Sequence, residues 1–135
     1  MTSQKDGLGC SLQREGEVLV VALAGAVDYT TIHTMRGALG EAFADARAHT
    51  VIVDLSEVEF LGSAGIAALV DAAGAQRDRA APALRVVVDD SRPVVRPIQL
   101  TGLDDVLALY RTREDALRDA GRWSGSRRAA PDTSR

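Results

Sequence analysis

Residues 51–69 read V-I-V-D-L-S-E-V-E-F-L-G-S-A-G-I-A-A-L, and the pattern changes three times within them. Residues 51–55 form a short, β-branched apolar run with one charge, Asp54, near its end, which predicts a buried strand. A polar excursion over 56–59 follows, then Phe60-Leu61. Gly62-Ser63-Ala64-Gly65 opens a segment predicted helical to about Arg77, with Ile66, Leu69, Val70 and Ala73 on its inner face. Alanines 64, 67, 68, 72 and 75 favour this helix, and Gly74 weakens it slightly.

On the N-terminal side, Ile32, Met35, Leu39, Ala42 or Phe43, and Ala46 recur at helical spacing over 31–47. Thr30 or Thr31 is placed to cap that helix, and Asp28 is the alternative cap. Before it lie a weak strand at 8–14, a turn at Glu15-Gly16-Glu17 and an apolar strand at 18–23 ended by Gly25, together predicting a hairpin. A helix between two apolar strands predicts a crossover between parallel neighbours, with helices covering the sheet.

On the C-terminal side, 84–88 is a strand, and Asp89-Asp90-Ser91 ends it before a short helix carrying Val94, Val95 and Ile98. Pro97 is expected to kink or end that helix if it starts near Arg92. Residues 106–110 predict a last edge strand, and Thr112 caps a final helix with Ala116, Leu117 and Ala120 inside. The order β-β-α-β-α-β-α-β-α predicts an α/β domain over 8–120, a mixed four- to five-stranded sheet flanked by about four helices. Residues 121–135, rich in Gly, Ser and Arg and without periodicity, are read as a flexible basic tail.

Composition narrows the function. Residues 1–120 hold 12 basic and 18 acidic side chains, an acidic body poorly suited to nucleic-acid backbones. The tail carries Arg122, Arg127, Arg128 and Arg135 against Asp132, a weak basic signal. The single cysteine, Cys10, permits no internal disulfide, and no Cys/His cluster points to zinc. Residues 1–9 lack the apolar core of a secretion signal, and no run approaches the roughly 20 apolar residues that span a bilayer. A cytoplasmic protein without membrane contact, metal or cofactor is expected.

Ser63 is the informative side chain. Flanked by Gly62 and Gly65, its hydroxyl is accessible if the turn is at the surface, and a helix start favours an added phosphate. The plainer reading makes Ser63 an N-cap. A hydrolytic nucleophile is disfavoured, because position 61 of the G-x-S-x-G elbow is Leu and neither His33 nor His49 has an evident route to Ser63. Asp54 and the Glu57/Glu59 pair raise acid chemistry or Mg²⁺ binding, though a charged rim is the commoner meaning. The chain's only lysine, Lys5, is in no phosphate-binding loop of the G-x-x-x-x-G-K-[ST] type. No catalytic residue is assigned.

The 51–69 segment resembles the signature of STAS domains, specifically the anti-sigma-factor antagonist branch of actinobacterial type. Gly25-Ala26-Val27-Asp28 resembles that family's G-E-[IL]-D element, and residues 94–103, V-V-R-P-I-Q-L-T-G-L, its R-R-P-[LI]-x-L-T-G-L segment. The resemblance implies an antagonist that binds an anti-sigma factor, itself a serine kinase, and so releases a sigma factor. It implies phosphorylation of one serine as the off switch and its reversal by a PP2C-type phosphatase. The family's D-S-[ST]-G pattern places that serine at Ser63, with Ala64 at the second hydroxyl position. The partner-binding face implied combines Asp28, Tyr29 and Thr30 with Gly62, Ser63, Ala64 and Gly65. Gly62 replaces the family's aspartate and Ala26 its glutamate. The alternative is a STAS module that binds partners in another regulatory assembly without switching.

Overall fold

A computed structural model describes residues 2–5, 8–48, 50–77, 83–89, 91, 95–100, 102 and 106–120. The expected tail lies outside them. Six strands form one sheet in sequence order: β1 (Thr2–Lys5), β2 (Leu8–Glu15), β3 (Val18–Val27), β4 (Thr50–Leu61), β5 (Leu84–Val87) and β6 (Leu107–Tyr110). The first three are antiparallel neighbours, and β3 to β6 run parallel. The mixed α/β sheet matches expectation, with a sixth strand at one edge. Thr2-Ser3-Gln4-Lys5 has no apolar alternation, so its pairing with β2 rests on backbone hydrogen bonding that leaves no sequence signal.

Each parallel pair is joined by a helix: α1 (Ile32–Ala44), α2 (Ser63–Arg77) and α3 (Val95–Leu100), with α4 over 113–120 after β6. Because α3 begins at Val95, Pro97 falls in its first turn, where backbone N–H groups have no intrahelical partner. Thr112 caps α4, its Oγ1 accepting the Asp115 N–H at 3.0 Å. The β2–β3 turn is closed by Gly16 at φ 64°, a left-handed conformation that favours glycine.

The two sheet faces are unequal. Leu19, Val21, Val51, Val53, Leu55, Val86 and their neighbours meet Met35, Leu39, Leu69 and Ala72 from α1 and α2 in the main core. On the opposite face, Val18, Val20, Ile52 and Val87 pack against Ala116 and Ala120 of α4. Two ion pairs flank that smaller patch. Arg113 places Nε and Nη2 3.0 and 2.9 Å from Asp54 Oδ2, and buried Arg85 bonds Asp119 Oδ2 at 2.9 Å.

β4 continues past Leu55 to Leu61, beyond the strand expected at 51–55. Its register against β3 slips by one extra residue between Asp54 and Glu57, and again between Val58 and Phe60. These two bulges convert the spacing of core residues from two to three: Val51, Val53, Leu55, then Val58, then Leu61. The polar excursion is therefore strand whose alternation has been broken twice.

Candidate functional site

At the carboxyl ends of β3 and β4, Val27 is in register with Leu61, and the Gly62 N–H donates to the Val27 carbonyl at 2.8 Å. The β3–α1 loop and the start of α2 thus emerge side by side. Gly62 is the cap of α2, its carbonyl accepting the Ile66 N–H at 3.1 Å. Ser63 is the first helical residue, one step past the cap position that local sequence offered it. Its side chain is exposed and makes no hydrogen bond among the described residues.

Gly65 fixes the seat of the helix. A Cβ there would stand 2.5 Å from Leu61 Cδ1 and 2.9 Å from Val27 Cγ1, so the α2 backbone rests directly on the two strand ends. At Gly62 a Cβ would lie 3.2 Å from Phe60 Cε2 and 3.3 Å from the Val27 carbonyl. The Phe60 ring occupies the side of the turn from which a residue at 62 would project.

The neighbouring loop is held by one carboxylate. Asp28 Oδ1 accepts the Thr30 N–H at 2.9 Å, the Thr30 hydroxyl at 2.6 Å and the Thr31 N–H at 3.1 Å. These donors, the Thr30 hydroxyl foremost, hold the Asp28 carboxyl below the usual carboxylate range. Thr31, buried at the N-cap of α1, makes no side-chain cap bond; its hydroxyl donates to the Ala26 carbonyl at 2.9 Å. Asp28, the alternative cap, bonds the N–H groups of Thr30 and Thr31 just ahead of the helix.

The seven residues expected at a partner face converge here in graded exposure. Tyr29, Thr30 and Ser63 stand in solvent, Asp28, Gly62 and Ala64 are partly covered, and Gly65 is buried beneath them. Phe60 was absent from that set and is 53% exposed. Two consecutive apolar residues ending a strand, Phe60-Leu61, signal that one must face outward, but only the second bulge decides which. Asp54 lies away from acid chemistry: Arg113 holds Oδ2, and Ser56 donates to Oδ1 from N at 2.9 Å and Oγ at 2.6 Å. His33 is exposed on α1, and His49 lies outside the described residues. Among the described residues no group of three or more His, Cys, Asp or Glu is placed to hold a metal ion, and no helix is long and apolar enough to cross a membrane.

Comparison with known proteins places this arrangement among relatives. The family model for the STAS domain matches residues 10–116. The chain is 35% identical over 115 residues to the anti-sigma-F factor antagonist RsfB of Mycobacterium tuberculosis, covering 85% of this chain and 91% of that one. To RsfA of the same organism, also an anti-sigma-F factor antagonist, it is 29% identical over 117 residues, covering 86% and 90%. The crystal structure of an anti-sigma factor antagonist from Mycobacterium paratuberculosis superposes with a TM-score of 0.76 at 33% identity, covering 87% of this chain and 97% of that one.

Proposed function

The chain belongs to the STAS domain family, in its anti-sigma-factor antagonist branch, and from that membership we propose that it is a phosphorylation-controlled antagonist of an anti-sigma factor. The general function of such a domain is partner switching, regulation by binding with no catalysis of its own. In the specific reading, the unmodified chain binds an anti-sigma factor that is also a serine kinase, in the cytoplasm, and a sigma factor is released. Phosphorylation of Ser63 ends the complex, and a PP2C-type phosphatase restores it.

The observation that carries this reading is the Ser63 hydroxyl: exposed, free of hydrogen bonds among the described residues, and beside the Asp28–Thr30 loop. A phosphate there adds about -1.5 to -2 charges at pH 7. The first turn of α2 contains no acidic residue, and its unpaired N–H groups tolerate the anion locally. A partner packed over Gly62, Ser63 and Ala64 has to strip water from that charge, and binding fails on the desolvation cost.

Intact-protein mass spectrometry with ATP and the host's kinase-type anti-sigma factors tests this directly. One added phosphate on the wild type, none on Ser63→Ala, and a complex lost on phosphorylation are expected. A stable complex without any phosphate would leave a binding-only antagonist, the outcome favoured if Gly62 cannot stand in for the family's aspartate.

A further inference from the structure

Phe60 is turned outward by a specific device. Plain alternation from Leu55 would bury Glu57 and Glu59, and the first bulge avoids that by bringing Val58 into the core. Alternation resumed from Val58 would then bury Phe60 and expose Leu61. The second bulge reverses the pair: Leu61 is 4% exposed and Phe60 53%. Bulges that re-aim a side chain concentrate beside functional sites. Here the re-aimed ring lies along Gly62, adjacent to Ser63, and Tyr29 on the neighbouring loop is 84% exposed. Two of the chain's five aromatic residues therefore stand in solvent around the serine.

The two segments that build the site carry acidic side chains and no basic ones. Asp28, Glu57 and Glu59 belong to the two segments that build the site, and neither 26–35 nor 50–76 contains a lysine or arginine. An exposed aromatic anchor with an acidic surround complements an apolar pocket rimmed by basic side chains.

Resting on the partner-switch reading above, we propose that Phe60 is the anchor of the partner-binding surface. Its ring enters an apolar pocket on the anti-sigma factor whose rim carries arginine or lysine. Ser63 lies at the dry margin of that pocket, where a phosphate loses its water, while Glu59 and Asp28 meet the basic rim. A side chain at position 62 would crowd the ring, its Cβ standing 3.2 Å from Phe60 Cε2.

The test is calorimetric titration of the full chain with a purified kinase-type anti-sigma factor of the same host, at low and at raised NaCl. Phe60→Ala is expected to lose about 30-fold or more in affinity, as anchors of this kind do. Phe60→Tyr, which keeps the ring, is expected within about threefold of wild type. Glu59→Gln is expected to bind more weakly at low salt and to show a shallower salt dependence. Because Phe60 is half-exposed, both Phe60 variants should keep the wild-type circular dichroism. If Phe60→Ala does not fold, Phe60→Leu, which keeps apolar bulk without the ring, carries the comparison, with a loss of about tenfold expected and binding within about twofold of wild type overturning the anchor. Wild-type binding with Phe60→Ala within about twofold overturns the anchor and leaves the partner-switch reading standing. Affinity insensitive to salt overturns the basic rim. Failure of the wild type to bind any such anti-sigma factor overturns the anchor and that reading together.

Discussion

Ser63 stands one residue inside α2, and that single step changes what its hydroxyl is for. A serine at the cap would contribute about 1 kcal/mol to the helix; here Gly62 holds the cap and the Ser63 side chain makes no bond among the described residues. Ser63→Ala is therefore expected to shift unfolding free energy by less than about 0.5 kcal/mol in urea titrations, within the usual range for surface substitutions. Gly65→Ala is expected to cost about 1–3 kcal/mol by the same measurement, since its methyl must displace Leu61 and Val27 from contacts already closed. The motif G-S-A-G makes the serine and its glycines legible in sequence. It does not distinguish cap from first helical residue, because both positions precede the periodic part of the helix. Nor does it announce Phe60, whose orientation depends on a slip in pairing with a strand some thirty residues earlier.

At the scale of elements, α1 carries two unusual features. Gly37 and Gly40 lie within it, and a Cβ at either would meet nothing within 4 Å. Replacing each by alanine is expected to raise stability by up to about 1 kcal/mol, read as an increase in the urea midpoint at constant m-value. Carboxylates also hold both ends of the helix. Asp28 is kept acidic mainly by Thr30, and Asp45, at the C-cap, first by the Arg47 N–H and then by the Arg14 and Arg47 charges. Asp45 opposes the helix dipole at that end, which the arginines offset. Both groups titrate lower in the folded chain than unfolded. Their stabilisation is complete above the unfolded carboxylate value near pH 4 and is lost as pH falls through the lower folded values. Protection factors of the amides in the terminal turns of α1, exchange rates normalised to the intrinsic rate at each pH, are therefore expected to fall below about pH 4 before those of the β4 core.

The helices were readable because each buries one periodic apolar face, Met35 and Leu39 in α1 and Leu69 and Ala73 in α2, and β4 because its first half is apolar towards both faces, Val51 and Val53 to one and Ile52 to the other. The failures share a cause. β1 is held by backbone pairing alone as far as sequence can tell, and the second half of β4 keeps neither a period of two nor of 3.6. Pro97 disrupts only a helix that starts well before it, and α3 starts two residues earlier, at Val95.

For the whole molecule, the second face of the sheet depends on a helix whose apolar contribution is small. Its fully buried residues, Ala116 and Ala120, are small and Leu117 beside them is only partly covered, so the neighbouring ion pairs matter for how α4 is seated. Arg85 is 2% exposed, and its Nη1 has no hydrogen-bond partner among the described residues. Asp119 is its counter-charge and also takes the Tyr110 hydroxyl, whose pKa is raised above 10 by burial first and by that carboxylate second. Asp119→Ala strands a buried guanidinium and is expected to cost about 3–5 kcal/mol in chemical unfolding. Arg85→Met is expected to be far milder, neutral or even stabilising, because it removes the charge together with its desolvation cost.

The strands lie across the sheet in the order in which they are synthesised. No strand has to be threaded between two that already exist: each emerges from the ribosome with its neighbour already made and adds to a growing edge. The exception to this vectorial assembly is the smaller face, where Val18 and Val20 wait bare until residues 113–120 have cleared the exit tunnel. A nascent chain stalled short of that point presents an open apolar patch on its earliest strands, and that interval is when a chaperone has most to hold.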